Sequence, residues 1–183
     1  MSENKKLKAK HGEVCRIQNE RFGYFGWPTV AVMEDGTLVA VSSGLRMGHI
    51  DPWGRTTLQF SYDNGETWTD PRIINDSPID DRDAGVISLG GKKLLVTWFR
   101  SDTRVFKSWL PEVCHKPMEH WTDEMVNRIF GTFVMLSDDA GETWGLPIRV
   151  PISSPHGPIL LKNGDVLYLG KEMFSTASEF DHG

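Results

Sequence analysis

Short runs rich in apolar residues, separated by polar and glycine-containing turns, cover most of the chain, a pattern typical of β-strands. In the first group of runs, the predicted strands are residues 28–33, 37–42, 56–61 and 68–74. A long loop at residues 43–55 separates the second strand from the third. Because consecutive strands joined in this way usually pair with each other, the group predicts one four-stranded antiparallel sheet.

A second group of runs repeats this plan, and a third group begins it. The second group's predicted strands are residues 83–89, 93–99 and 131–137 and a short run at 148–150, and the third group's are residues 158–161 and 166–170. An insertion at residues 100–130 interrupts the second group. Within it, residues 122–129 open with a threonine and two acids and carry apolar side chains on one face, which predicts a short helix.

Each complete group contains the same eight-residue stretch, SYDNGETW at residues 61–68 and SDDAGETW at residues 137–144. The Asn-Gly and Ala-Gly pairs favour a tight turn with positive φ. The carboxylates of Asp63 and Asp139 can accept hydrogen bonds from the amides of that turn. The stretch therefore predicts a repeated turn that closes a hairpin.

A tryptophan, Trp68 or Trp144, ends each copy and is the first large side chain of the returning strand. Burying ~150–250 Å² at ~25 cal/mol/Å² gives roughly 4–6 kcal/mol as an upper bound. Both tryptophans are therefore expected to be buried in equivalent positions and to act as folding anchors.

The repeated stretch S-x-D-x-G-x-T-W resembles the Asp-box, or BNR repeat, of sialidase-like β-propellers in the neuraminidase superfamily. The resemblance implies an all-β propeller of four-stranded antiparallel blades, six in the parent, with about two and a half blades present here. Blade 1 is expected at about 27–74, blade 2 at about 83–150 with the insertion 100–130, and a partial blade 3 at about 156–170. The chain thus resembles the N-terminal half of a sialidase family protein, and ring closure would need missing C-terminal blades or self-association.

Composition and charge indicate a globular protein without a general affinity for anions. The 183 residues are 39% hydrophobic and 25% charged, with a formal net charge of −5. This charge does not favour nucleic acid or anionic membranes as partners, so an anionic substrate would need local arginines. No apolar run approaches the ~20 residues of a membrane span, and the polar first residues do not match a secretory signal, so a cytoplasmic location is expected.

The chain contains two cysteines, Cys15 and Cys114, whose spacing suggests neither a disulfide framework nor a metal site. Cys114 and His115 with His120 form an alternative metal-ligand set. Free thiols and surface histidines are the favoured interpretation. No metal or other cofactor is expected.

The order of strands in an up-and-down blade indicates on which face of the propeller an active site would lie. The entry to the first strand and the loop between strands two and three share one face, whereas the repeated turns lie on the other. The loops expected on the first face are residues 24–27, 43–55, 75–83, 100–130 and 153–156. This face carries the candidate site residues Arg46, His49, Asp51, Arg55, Arg82, Asp83 and His156. Solvated loops with capping carboxylates and surface histidines are the alternative interpretation of the same residues.

The resemblance assigns roles to these positions. Sialidases bind a substrate carboxylate with three arginines, use an aspartate as acid/base and use a tyrosine activated by a glutamate as nucleophile. The first of those arginines lies in an F/Y-R-I-P motif, which here reads Phe25-Gly26-Trp27-Pro28 and lacks the arginine. We expect the carboxylate to be bound by Arg46, Arg82 and Arg55, with Asp83 orienting Arg82 and with His49 and His156 also contacting substrate. Asp51 is expected to be the acid/base, and Tyr168, inside a predicted strand, is not assigned as the nucleophile.

The resulting functional hypothesis is a sialidase-like glycoside hydrolase of the exo-α-sialidase type, or an N-terminal fragment of one, that cleaves a terminal acidic sugar. Its expected partner is a sialic-acid-like or other acidic glycan. Two alternatives stay open, a non-catalytic propeller that binds carbohydrate or protein and an inactive truncated fragment.

Overall fold

Two four-stranded antiparallel sheets form most of the structure, a computed structural model that describes residues 9–18 and 20–173. The first sheet consists of β1 (Tyr24–Val32), β2 (Leu38–Arg46), β3 (Arg55–Ser61) and β4 (Arg72–Asn75), in that order. The second consists of β5 (Asp80–Gly90), β6 (Lys93–Ser101), β7 (Gly131–Ser137) and β8 (Ile148–Val150), again in chain order. The predicted antiparallel four-stranded sheets are therefore confirmed.

Four short strands follow the second sheet. β10 (Ile159–Leu160) pairs with β11 (Val166–Leu167), and β9 (Ile152–Ser153) pairs with β12 (Lys171–Glu172). The first pair is the hairpin that the third group of runs predicts. Its apolar side chains are exposed, which contrasts with the buried strands of the two large sheets.

The first strand of each large sheet begins before its predicted start. β1 begins at Tyr24, four residues before Pro28, and β5 begins at Asp80, three residues before Asp83. Both strands contain register shifts, which lie between Tyr24 and Thr29 and between Arg82 and Gly85. Such β-bulges interrupt the regular side-chain pattern on which sequence prediction depends. The sequence therefore does not predict the N-terminal ends of these two strands.

One face of each large sheet packs against the other and forms the inter-sheet core. Alternate residues of neighbouring strands point to the same face, as the pleat of a strand requires. The fully buried side chains of this core include Val39, Val41, Leu58, Val86, Leu94, Val96 and Trp98.

The insertion is mostly helical and has a core of its own. It contains 3₁₀ segments at Thr103–Trp109 and Glu112–Cys114 and two helices, α1 (His115–Met118) and α2 (Asp123–Ile129). α2 is the predicted helix, capped by the Thr122 hydroxyl, which accepts a hydrogen bond from the Met125 amide at 3.1 Å. The sequence does not predict the other helical segments, and Pro111 and Pro117 interrupt the periodicity around two of them. The insertion core includes Cys114, Met118, Trp121 and Val126, and Met47 and Trp53 of the β2–β3 loop pack against it.

The two repeated turns have the same hydrogen bonds. In the first, the Asp63 carboxylate accepts the Thr67 amide at 2.8 Å and the Thr67 hydroxyl at 2.6 Å. In the second, the Asp139 carboxylate accepts the Thr143 amide at 2.9 Å and the Thr143 hydroxyl at 2.5 Å. The repeated sequence therefore produces a repeated structure.

The expectation that both tryptophans are buried is wrong, because Trp68 and Trp144 are each only half-buried. Trp144 packs at the margin of the inter-sheet core. Trp68 is not part of that core.

Candidate functional site

Three residues with left-handed backbone mark the site. Trp27 has φ 52°, Asp83 has φ 50° and His156 has φ 65°. Trp27 and Asp83 lie in the bulges of β1 and β5, the first strands of the two large sheets. His156 lies shortly before β10, the first strand of the hairpin that begins a third unit. A left-handed conformation costs an ordinary residue roughly 1–2 kcal/mol, and such strain is concentrated at functional sites. The same backbone device thus recurs in all three units.

Contacts show that the three side chains lie together. The Trp27 ring is 4.6 Å from the Arg82 guanidinium carbon and 4.9 Å from the centre of the His49 ring. The Asp83 carboxylate interacts electrostatically with both His49 and His156. The structure therefore brings together a half-exposed tryptophan, an arginine, a carboxylate and two exposed histidines on one face.

Arg46 is the first sequence-predicted ligand residue that the structure places differently. Its side chain is completely buried and forms a bidentate ion pair with Asp80, at 2.5 and 3.0 Å. Every guanidinium nitrogen donates a hydrogen bond within the protein, the remaining acceptors being the Ser43 hydroxyl and the carbonyls of Gly48, His49 and Asp81. Arg46 therefore joins the first sheet to β5 and has no donor left for a substrate carboxylate.

Arg55 is also engaged by the protein. Its Nε donates to the Asp76 carboxylate at 3.0 Å, and its Nη1 donates to the carbonyls of Leu45 and Trp53. These contacts tie the two ends of the β2–β3 loop together. In the structure, Arg55 stabilises this loop.

Arg82 keeps unused donor capacity. It is 9% exposed, and its Nε, among the residues that the structure describes, has no hydrogen-bond partner. Its ion pair is with Asp80, at 3.6 Å between Nη1 and Oδ2, so Asp80 rather than Asp83 is the carboxylate that orients it. Burial lowers the pKa of Arg82, while Asp80 acts in the opposite direction.

Asp51 lies in a position that differs from the predicted one. It is completely buried, and its oxygens accept hydrogen bonds from the amides of Met47 and of Trp53, the latter at 2.8 Å. A carboxylate that bonds the amide two residues ahead forms a local turn. The surroundings of Asp51 are therefore those of a loop-stabilising group, because it neither faces solvent nor has a free oxygen.

Asp83 is the half-buried carboxylate of the site. Its Oδ1 has no hydrogen-bond partner among the described residues. Burial raises the pKa of Asp83 above its usual range, while Arg82 and Arg46 act in the opposite direction. A carboxyl group whose pKa is raised by partial desolvation is easier to protonate than an exposed one.

Trp27 was not assigned a role from the sequence, although residues 24–27 were expected on this face. Its importance comes from its contacts, since Arg46 and Arg82 both lie over its ring, at 5.3 and 4.6 Å. The signal in the sequence is weak. It consists of a large aromatic residue directly before a proline at the start of a strand.

The metal-ligand alternative finds no support in the described part of the chain. Cys15 and Cys114 are free cysteines, and Cys114 is buried in the insertion core. No group of three metal-ligating side chains occurs within residues 9–18 and 20–173. Over the same residues, no helix has the length and apolar character needed to cross a membrane.

Comparison with known proteins places the fold but not the family. No protein-family profile and no curated protein sequence matches the chain. Among solved structures, a protein of unknown function from Dyadobacter fermentans is similar with a TM-score of 0.55 and 20% identity, over 84% of this chain and 48% of that one. The Hadza microbial sialidase Hz136 is similar with a TM-score of 0.52 and 19% identity, over 79% of this chain and 31% of that one.

A weaker similarity is to the polysaccharide lyase Uly1, with a TM-score of 0.43 and 18% identity over 68% of this chain and 23% of that one. The chain therefore spans less than half the length of each of these structures. At these identities the two stronger similarities show a shared sialidase-like β fold.

Proposed function

We propose that the face formed by Trp27, Arg82, Asp83 and His156 binds an acidic sugar, as part of a sialidase-like glycoside hydrolase of the exo-α-sialidase type. The observation that carries this proposal is the Arg82 guanidinium, whose Nε lacks a partner although it is buried beside an aromatic ring. A buried donor without a partner costs about 1–3 kcal/mol. A ligand carboxylate would satisfy it.

The neighbouring groups suit a sugar acid. The planar fork of arginine binds a carboxylate bidentately, and the half-exposed Trp27 ring offers an apolar surface beside it. The two exposed histidines add polar contacts at the edge of the site. Arg46, although it is buried and fully hydrogen-bonded, supports the site by holding Asp80 against Arg82.

Asp83 is the proton donor in this proposal, in place of Asp51. A glycosidic bond with a poor leaving group needs a carboxyl group that can protonate the leaving oxygen. Asp83 has a free oxygen and a raised pKa, whereas Asp51 uses both oxygens for loop amides. The nucleophile is not assigned.

The proposed architecture behind this activity is a β-propeller in which the two large sheets are blades and β10–β11 begins a third. Its support is the repeated strand order, the repeated turns and the repeated left-handed residues. Missing blades or association with a second copy would complete the ring.

Binding tests the proposal first. Isothermal titration calorimetry of the full chain would compare N-acetylneuraminic acid and D-glucuronic acid with methyl glucoside, which lacks the carboxylate. We expect both acids to bind more tightly than the neutral sugar. The Arg82→Gln substitution should lower the affinity for both acids at least ~10-fold. Arg55→Gln is the matched control and should leave binding unchanged. Equal affinity for neutral and acidic sugars would refute the carboxylate site.

Turnover then separates an enzyme from a binding protein. With aryl sialosides, Asp83→Asn should slow hydrolysis of a poor leaving group far more than that of a good one, because only the former needs protonation. If Asp51→Asn shows this pattern and Asp83→Asn does not, the acid is Asp51. Retained sugar binding without hydrolysis by the wild-type chain would favour the non-catalytic carbohydrate-binding alternative.

A further inference from the structure

His156 makes one hydrogen bond that decides which of its ring nitrogens carries the proton. Its Nδ1 lies 3.2 Å from the hydroxyl oxygen of Thr29 in β1. The same hydroxyl donates its hydrogen to the carbonyl oxygen of Ala84 in β5, also at 3.2 Å. A hydroxyl has a single hydrogen to give. While that hydrogen points to Ala84, the Thr29 oxygen can only accept from His156.

The Ala84 carbonyl needs this hydrogen. Ala84 is completely buried, and it lies in the β5 bulge, where the register with β6 passes from Arg82 directly to Gly85. Residues within such a bulge lose their regular strand pairing. Because buried carbonyls are nearly always hydrogen-bonded, the Thr29 hydroxyl is committed to Ala84.

The backbone of His156 is fixed against the same bulge. A Cβ at Gly85 would lie 2.6 Å from both the carbonyl carbon of His156 and the Cα of Gly157. Such an approach requires glycine at position 85. The imidazole is therefore held by its backbone on one side and by Thr29 on the other, so its unbonded nitrogen has a defined direction.

We infer that neutral His156 carries its proton on Nδ1, fixed by Thr29, and presents Nε2 as a hydrogen-bond acceptor for a hydroxyl group of the ligand. This inference rests on the proposed function and adds to it the orientation of the substrate. A lone pair on Nε2 repels a carboxylate and accepts from a hydroxyl. The bound sugar acid must place its carboxylate at Arg82 and a hydroxyl donor at His156.

The Asp83 carboxylate lies near His156 and interacts electrostatically with it and with Arg82 and Arg46. Thr29 is a positioning residue in this arrangement, because it acts on the ligand only through His156.

The test is a ¹⁵N NMR measurement of histidine tautomers in the full chain at pH 8, with His156→Gln to assign the signals. We expect a protonated Nδ1 and an unprotonated Nε2 for His156. His115 is an internal reference of opposite sign, because its Nε2 lies 2.9 and 3.1 Å from the carbonyls of Lys107 and Leu110 and must carry the proton there. Thr29→Val should abolish the Nδ1 preference of His156 but not change His115, and Thr29→Ser should restore it.

Titration with N-acetylneuraminic acid and D-glucuronic acid completes the test. A shift of the His156 Nε2 signal on binding supports the inference, and a protonated Nε2 in the free protein overturns it. Binding seen by calorimetry with no shift at Nε2 also overturns it, while leaving the acidic-sugar site in place. If neither acid binds, the proposed function fails, and the assignment of a ligand hydroxyl to His156 fails with it, whatever tautomer the free protein shows.

Discussion

Arg46 at the end of β2 and Asp80 at the start of β5 form a completely buried ion pair, with 2.5 Å between Nη1 and Oδ1. The two residues are 34 positions apart in the chain, and their ion pair links the first sheet to the second. Asp80 also lies 3.6 Å from Arg82, the arginine proposed to bind the ligand. A buried structural ion pair therefore adjoins the arginine of the proposed site.

The first prediction concerns this pair. Asp80→Asn should lower the free energy of unfolding by about 3–5 kcal/mol, because it leaves the Arg46 guanidinium buried without its counter-charge. Urea unfolding measures the change. The control is Asp76→Asn, which breaks the half-exposed pair with Arg55 and should cost about 1 kcal/mol or less. Similar losses in both variants would contradict the structural importance assigned to burial.

The second prediction concerns pH. Hydrogen bonds from Thr143 lower the pKa of Asp139 to about 2. Because this folded-state pKa lies below the unfolded value, the carboxylate stabilises the fold above pH ~4, and this contribution is lost as the pH falls through ~2. Unfolding followed between pH 5 and pH 2 should therefore be less pH-dependent in Asp139→Asn than in the wild type.

Asp138→Asn is the control for this measurement, since it removes an exposed neighbouring charge without touching the hydrogen bonds of the turn. If both variants flatten the pH dependence equally, net charge and not the turn is responsible. The equivalent bonds of Asp63 with Thr67, which also lower the pKa of Asp63 to about 2, predict the same behaviour for Asp63→Asn.

The third prediction separates the two repeated tryptophans. Trp144→Ala should lower the free energy of unfolding by about 2 kcal/mol, because its ring is half-buried at the inter-sheet core. This is roughly half the loss expected for a fully buried tryptophan. Trp68→Ala should cost less, since Trp68 lies outside that core. Denaturant midpoints compare the two variants, with ligand affinity unchanged in both. A larger loss for Trp68→Ala would show that burial at this core does not decide their contributions.

Local patterns in the sequence predict the sheets well. The short apolar runs of β2 and β3 identify core residues such as Val39, Val41 and Leu58, and glycine turns mark where the strands reverse. The α2 helix is predictable for the same reason, because Thr122 supplies a local cap. These features depend on residues close together in the chain.

The arrangement of the site was less predictable, because it depends on long-range pairing and on bulges. Nothing local shows that Arg46 reaches Asp80, so the sequence predicts Arg46 as a ligand for the substrate carboxylate. The resemblance assigns Asp51 as the acid/base because it lies in the loop that carries that aspartate in sialidases, whereas in the structure its oxygens accept hydrogen bonds from loop amides. The left-handed conformations of Trp27 and Asp83 arise within the bulges and leave no clear trace in the alternation.

The last prediction connects the bulge of β5 to the site. Gly85→Ala should destabilise the fold by about 1–3 kcal/mol, because the new Cβ would meet the backbone of His156 and Gly157 at 2.6 Å. That backbone must move away, and it carries the His156 ring away from Thr29. The ¹⁵N signals of His156 should therefore lose their Nδ1 preference while those of His115 stay unchanged. Gly48→Ala is the matched control, since a Cβ there meets no atom within 4 Å and should change stability by less than about 0.5 kcal/mol. A Gly85→Ala variant that loses stability yet keeps the His156 tautomer would show that Thr29 alone positions the ring.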